Sequence, residues 1–222
     1  MDVDISKILQ NMLTRFDFSH LAGMNKLREL HLSLNFIDLA NVWPDHVPLV
    51  SRLCETLYNQ FAPTTVLAHR LYIGGVTSTY CGPELVRRRI GTVINASDFT
   101  YVDTAKYEYI HLDVADDPSV AIDMHFAQVC EVIDRAIDDS KHAVLIHCAA
   151  GVSRSATLVI AYLMYAYAVS FEHALAFLTE KRYCVNPNEG FVRRLRAYDF
   201  SRLRPNPGVP LRNPAELRLN WL

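Results

Sequence analysis

Alternation of strand-like and helix-like segments after residue 65 predicts an α/β fold, a central, mostly parallel sheet flanked by helices, with a helical extension at the N-terminus. Three observations carry that expectation. Short apolar runs such as HAVLIHC at 142–148 suit strands covered on both faces, as parallel sheets require. The segments between such runs space apolar residues three and four apart, as helices packed on a sheet do. The first residues, to roughly position 60, show the helical spacing and no strand pattern.

In chain order, DISKILQNMLTRF, HLAGMNKLRELHLSLNFIDLA and PLVSRLCETLYNQF read as amphipathic helices, and Ala62-Pro63-Thr64-Thr65 marks a boundary, so the extension is assigned to 1–64. VLAHRLYIGG reads as one strand running into a turn at paired glycines. PELVRRRI reads as a helix, TVINAS as a buried strand and YEYIHLDV as another strand. DPSVAIDMHFAQVCEVIDRAID reads as a long helix entered through Pro118. HAVLIHC is the next strand, and SATLVIAYLMYAYA, SFEHALAFLTEKRY and NEGFVRRLRAYDFSRL follow as three helices. The main domain is therefore assigned to 65–204. The tail at 205–222, beginning PNPGVPLRNP, is proline-rich and is expected to run irregularly over the surface.

With 222 residues, half of them hydrophobic and a net charge of −2, the chain has material for a sizeable core and no general affinity for nucleic acid or membrane. Its longest apolar run, LVIAYLMYAYAV from Leu158, is far short of the ~20 residues that span a bilayer and suits a buried helix. Charge is unevenly placed. From Asp98 to Asp139 acidic residues dominate, among them Glu108, Asp113, Asp116, Asp117, Asp123, Asp134 and Asp138, whereas the end is basic through Arg193, Arg194, Arg196, Arg202, Arg204, Arg212 and Arg218. Solvated helix faces explain both, and a basic surface drawing an acidic partner is the sharper alternative. The five cysteines fit neither a zinc site nor a disulfide framework, and MDVDISKILQ lacks a signal-peptide pattern. A reducing compartment, cytoplasm or nucleus, is expected, with thiols available.

HCAAGVSRSA, residues 147–156, is the stretch that carries chemistry. It is a strand end, a small-residue loop and a helix start. A cation at a helix N-terminus opposes the macrodipole, so Arg154 calls for an anion between them. Successive loop amides and the free N–H groups of a first helical turn make a phosphate-sized cradle. Gly151 lets the backbone turn, and Ala149, Ala150 and Val152 leave the wall without competing charge. Cys148 at the rim is then favoured as thiolate, the nucleophilic form. Arg154 presents a planar fork for two phosphoryl oxygens, and Ser155 is placed to hydrogen-bond the sulfur. Singly, Cys148 reads as a small buried hydrophobe, His147 as a satisfied core histidine and Arg154 as a surface charge. Together, at this spacing, they read as a nucleophile on an anion cradle.

This stretch, with AYLM from Ala161 behind it, resembles the dual-specificity phosphatases of the cysteine-dependent protein tyrosine phosphatase superfamily. The resemblance spans roughly 66–203 and includes LYIGG, VINAS at Val93, and Asn186-Pro187-Asn188 with Gly190-Phe191. It implies the cysteine phosphatase fold and removal of phosphate from phosphotyrosine and phosphoserine/threonine in proteins through a phosphocysteine intermediate, with no metal or cofactor. It assigns catalysis to Cys148, Arg154, Ser155, His147 and an aspartate general acid, and substrate binding to Ala149, Ala150, Gly151, Val152, Ser153 and Arg154. Asp116 best matches the acid's position, Asp117 is the close alternative, and Asp113 falls earlier. Asp117 also suits an N-cap before Pro118. A loop without lysine and an acidic neighbourhood favour phosphoprotein over phosphoinositide or RNA. The alternative from another class is a catalytically silent phosphoprotein-binding module, which loss of the cysteine, arginine or aspartate would signal. Lys26-Leu27-Arg28-Glu29-Leu30-His31-Leu32 reads either as a kinase-docking peptide or as an ordinary amphipathic helix, and the first helices are candidates for self-association. Cys81 or Cys130 is a candidate disulfide partner for an oxidised Cys148.

Overall fold

A computed structural model describes residues 62–80, 82–98, 104–138 and 142–219. The helices expected before residue 62, the docking-like segment at 26–32 and Cys81 lie outside the described residues. The strands are β1 (Thr64–Leu67), β2 (Leu71–Gly75), β3 (Ile90–Asn95), β4 (Glu108–His111) and β5 (Ala143–Cys148). The helices are α1 (Gly82–Arg87), α2 (Phe126–Asp138), α3 (Arg154–Tyr167), α4 (Phe171–Lys181) and α5 (Glu189–Ala197).

The sheet runs in the order β1-β2-β5-β3-β4, with β2, β5, β3 and β4 parallel and β1 antiparallel on the edge. The mostly parallel sheet expected from the sequence is thus present. β5 is central and buried throughout, as its unbroken apolar run requires. Side chains alternate between two cores. Leu71, Ile73, Ile94, Val144 and Ile146 join the larger one with residues of α2 to α5, whereas Tyr72, Val93, Ala143 and Leu145 join Leu85 of α1 on the opposite face. α3 is buried along all 14 residues, which explains why LVIAYLMYAYA is apolar around the whole helix.

Three elements differ from their sequence reading. VLAHRLYIGG is two strands, not one: His69 adopts a left-handed backbone (φ 59°), and the Arg70 N–H bonds the Leu67 carbonyl at 3.1 Å, so the chain reverses there. The paired glycines then complete β2 instead of turning. A Cβ on Gly75 would stand 2.9 Å from the Ala149 carbonyl oxygen, so glycine serves close approach there. The long helix starts at Phe126, after a 3-10 turn at Ile122–His125, and not at Pro118. Pro118 is held instead in a turn in which Asp117 Oδ1 accepts the Ser119 N–H at 2.8 Å. Finally, α5 stops at Ala197, and Phe200–Leu203 forms a separate 3-10 turn whose start is capped by Asp199.

The tail does more than cross the surface. α3 ends with Ala168 in the left-handed region (φ 54°), and its last carbonyls receive donors from downstream. Arg204 donates from Nε to the Tyr165 oxygen (2.8 Å) and from Nη2 to that of Met164 (3.3 Å), while the Arg212 N–H reaches Ala166 (2.9 Å). Guanidinium charge at a helix C-terminus also complements the dipole. The Arg212 side chain donates to Tyr162 Oη (2.8 Å), Asp134 Oδ1 (2.9 Å) and Asp138 Oδ1 (3.0 Å). Leu217 and Leu219 are buried, and Glu216 pairs with Arg70 at 2.8 Å. Replacing Arg212 by alanine strands the half-buried Asp134 and the buried Tyr162 hydroxyl, a loss of about 2–3 kcal/mol. We expect the melting temperature to fall by about 5–10 °C in thermal unfolding followed by circular dichroism; an unchanged melting temperature would show that the strap carries no stability.

Candidate active site

Cys148 ends β5, and Arg154 begins α3, so the loop between them is anchored at both ends by buried elements. Its carbonyls are held from behind. Ala149 O accepts the Val76 N–H (3.0 Å), Val152 O accepts the Asn186 N–H (2.9 Å), and Ala150 O and Gly151 O accept Nη2 and Nε of Arg182 (3.1 and 2.8 Å). Trans peptide planes then send the N–H groups of Ala150, Gly151, Val152 and Ser153 to the opposite, inner side. The Gly151 N–H lies 3.3 Å from Cys148 Sγ, and Ser155 Oγ is 3.2 Å from the same sulfur. Gly151 has φ +73°, and a Cβ there would meet Gly74 C at 2.6 Å and Gly75 N at 2.7 Å, so glycine is required. Ser153 is the N-cap of α3 yet makes no side-chain capping bond, which leaves the first-turn amides to a ligand.

Arg154 is buried beside this cradle. Its Nη1 donates to the Val114 carbonyl (3.1 Å), Nε stands 3.8 Å from Asp116 Oδ2, and that buried Nε has no hydrogen-bond partner among the described residues. A buried donor left unpaired costs about 1–3 kcal/mol, so a bound oxyanion would complete it. Asp116 reaches the site from the loop after β4. Its Oδ1 accepts Ser153 Oγ (2.7 Å) and Asn188 Nδ2 (2.9 Å). Asn188 also donates its N–H to Ser153 Oγ (3.2 Å) and caps α5 through the Phe191 N–H (2.9 Å). Asp117 is directed to Ser119, whose hydroxyl first and N–H second hold its carboxyl below the ordinary carboxylate range. Asp113 is exposed.

The other candidates fall into place around these. His147 is buried under the loop, with Nδ1 3.4 Å from the Cys148 carbonyl oxygen. Burial lowers its pKa from 6.5 to about 4, so it is a neutral packing group at neutral pH. Cys130 lies in the core of α2, where burial pushes its thiol up, away from the reactive thiolate. Among the described residues no group of three or more His, Cys, Asp or Glu could hold a metal ion. The assembled parts are a sulfur nucleophile, a ring of amide donors, a guanidinium and a carboxylate. That set suits transfer of a tetrahedral phosphoryl group.

Residues 71–200 match the family described as the dual specificity phosphatase catalytic domain. The chain belongs to that family. This dual specificity phosphatase domain is 36% identical over 143 residues to a probable rhodanese domain-containing dual specificity protein phosphatase of Dictyostelium discoideum, covering 63% of this chain and 29% of that protein. It is 41% identical over 93 residues to the mouse serine/threonine/tyrosine-interacting protein, covering 42% of this chain and 41% of the other. The chain thus spans well under half the length of these relatives. Among solved structures, the human tyrosine phosphatase-like serine/threonine/tyrosine-interacting protein superposes with a TM-score of 0.59 at 32% identity, covering 65% of this chain and 99% of that one. DUSP15 gives 0.61 at 28% identity, covering 64% and 92%. Both similarities carry the mixed sheet flanked by helices.

Two positioning residues of the dual specificity phosphatase site escaped sequence reasoning. Arg182 clamps the loop from behind and reaches Thr64 Oγ1 at 3.1 Å, but in the sequence it is only the last basic residue of a helix. Asn188 was visible as part of Asn186-Pro187-Asn188, without any sign that it holds the carboxylate. His147 generates a prediction. Its folded pKa is depressed, so the unfolded chain binds the extra proton between pH 6.5 and about 4. Its contribution is therefore present above pH 6.5 and is lost, up to about 3 kcal/mol, as pH falls through that window. Urea unfolding at pH 7 and pH 5 should show a smaller pH dependence in His147→Asn than in the unmodified protein; equal slopes would remove His147 as the cause.

Proposed function

We propose that the protein hydrolyses phosphate monoesters on tyrosine and on serine/threonine of phosphoproteins through a phosphocysteine intermediate. The observation that carries this reading is the placement of Cys148 Sγ, 3.3 Å from the Gly151 N–H and 3.2 Å from Ser155 Oγ, at a loop whose four carbonyls from Ala149 to Val152 are drawn outward. The loop amides and the Arg154 guanidinium hold the three non-bridging oxygens and stabilise the charge they gather. The thiolate sulfur forms a bond to phosphorus as the bond to the substrate oxygen breaks, and Asp116 delivers a proton to that oxygen. In the second half, the Asp116 carboxylate takes a proton from a water that attacks phosphorus. The phosphorus–sulfur bond breaks, inorganic phosphate leaves, and Ser155 hydrogen-bonds the restored thiolate. Asn188 and Ser153 keep Asp116 facing the loop, while the bonds from Ser119 occupy Asp117. This supports Asp116 as the general acid.

The absence of lysine between Cys148 and Arg154, together with exposed Asp113, Asp116 and Asp117 on the loop that carries the carboxylate, supports phosphoprotein over a polyanionic phosphoinositide or RNA. A second reading, a module that captures phosphoproteins without turning them over, draws on the 41% identity to the serine/threonine/tyrosine-interacting protein. Retention of Cys148, Arg154 and Asp116 weighs against it.

Hydrolysis of a small aryl phosphate in reducing buffer with chelator tests the proposal. Turnover by the unmodified protein should vanish in Cys148→Ser, and Asp116→Asn should lower phosphopeptide turnover by about 10²–10⁴-fold. Absence of turnover in the unmodified protein, with phosphopeptide binding retained, would establish the capture module instead. Full activity of Asp116→Asn would move the proton to another group.

A further inference from the structure

A groove of about 590 Å³ opens beside the loop that carries Asp116, lined by Pro118, Gly190, Arg193, Arg194, Tyr198 and Arg202 among others. Its position relative to the site is set by close packing. A Cβ on Gly190 would stand 1.9 Å from the Pro118 carbonyl oxygen, so α5 rests directly on the acid-bearing loop. Pro118, the first lining residue past Asp116, lies two residues on, so the two Cα atoms are within about 7 Å of each other.

Three arginines and two aspartates line it, one positive charge in excess among the lining residues, and Glu189 stands beside Arg193 outside it. Arg194 is committed to the fold, donating to Asp123 Oδ1 (2.8 Å) and to the Ser119 carbonyl (3.2 Å). Arg193 and Arg202 are not. Their side chains are 69% and 83% exposed, and their partners also reach water: Glu189 at 4.0 Å from Arg193, and the less open Asp199 at 3.0 Å from Arg202. Exposed pairs of this kind contribute little to stability and exchange readily for a better anion.

We infer that this groove takes an acidic stretch of the phosphoprotein substrate, carboxylates a few residues from the phosphorylated side chain, with Arg193 and Arg202 as specificity-determining contacts. The inference rests on the phosphatase reading. The Tyr198 ring and Pro118 supply apolar contact for the aliphatic part of the acidic side chains. The loop beside the site carries exposed Asp113, Asp116 and Asp117, so the arginines supply the attraction that orients the peptide.

The experiment compares phosphotyrosine peptides carrying three glutamates or three glutamines on either flank, with a small aryl phosphate as the reference substrate. At low salt the full chain should show kcat/KM about fivefold higher for the acidic peptide on one flank, declining toward parity above about 0.3 M salt. Arg193→Gln/Arg202→Gln should abolish the preference while aryl phosphate turnover stays within about twofold. No preference on either flank, or a preference that survives the double substitution, overturns the inference. Loss of aryl phosphate turnover in the unmodified protein would instead defeat the phosphatase reading. Fluorescence anisotropy of the same peptides on Cys148→Ser, with and without the arginine substitutions, makes the comparison independently of turnover: the acidic peptide should bind more tightly only where both arginines remain, and equal affinities overturn the inference.

Discussion

Four carbonyl oxygens drawn away from one loop determine what the rest of the molecule does. A loop of small residues has no intrinsic reason to present its amides together. It does so here because Val76, Arg182 and Asn186 hold the opposite edge of each peptide. The donors come from the end of β2, the end of α4 and the segment before α5, so the cradle exists only when those elements are packed. Gly75 permits the close approach of β2, and Gly151 supplies the left-handed residue at which the loop bends. An anion cradle built this way is rigid before any ligand arrives, which is what electrostatic stabilisation of a phosphoryl group needs.

The carboxylate side of the site follows the same logic with different parts. Asp116 lies on an exposed loop, and loops of that kind wander unless bonded. Asn188 bonds it while capping α5, and Gly190 seats α5 against Pro118. Arg194 adds a hold on Ser119 from the next turn of the same helix. One short helix therefore holds the Asp116 carboxylate beside Ser153 at the cradle, while Arg193 on the same helix stays exposed. The basic C-terminal stretch consequently divides by role: Arg194 and Arg204 bond backbone carbonyls, Arg212 joins the half-buried Asp134 and the buried Tyr162, and Arg193 and Arg202 stay open to solvent.

α3 transmits stability between the two ends of the domain. Its N-terminus bears Arg154 and Ser155, and its C-terminus is closed by Arg204 and the Arg212 N–H from the tail. A helix buried on every side has few water molecules to satisfy its terminal groups, so its carbonyls at the end must find protein donors. The strap at 204–219 provides them. This places it in the folded unit, although the family match ends at residue 200.

The sequence by itself determined the α/β class, the central strand at 142–148, the buried helix after it and the identity of Cys148, Gly151, Arg154 and Ser155 as one site. All of these depend on apolar periodicity or on neighbours within a few positions, and both are written linearly in the chain. The resemblance favours Asp116 over Asp117 by position alone; the direction each carboxylate faces, toward Ser153 or toward Ser119, is a tertiary matter. The reversal at His69, the late start of α2 and the docking of the proline-rich tail were likewise decided by packing. Arg182 is the clearest case. Its partners are Ala150, Gly151 and Thr64, the last of them 118 residues away, and no local pattern encodes a hydrogen bond across that separation.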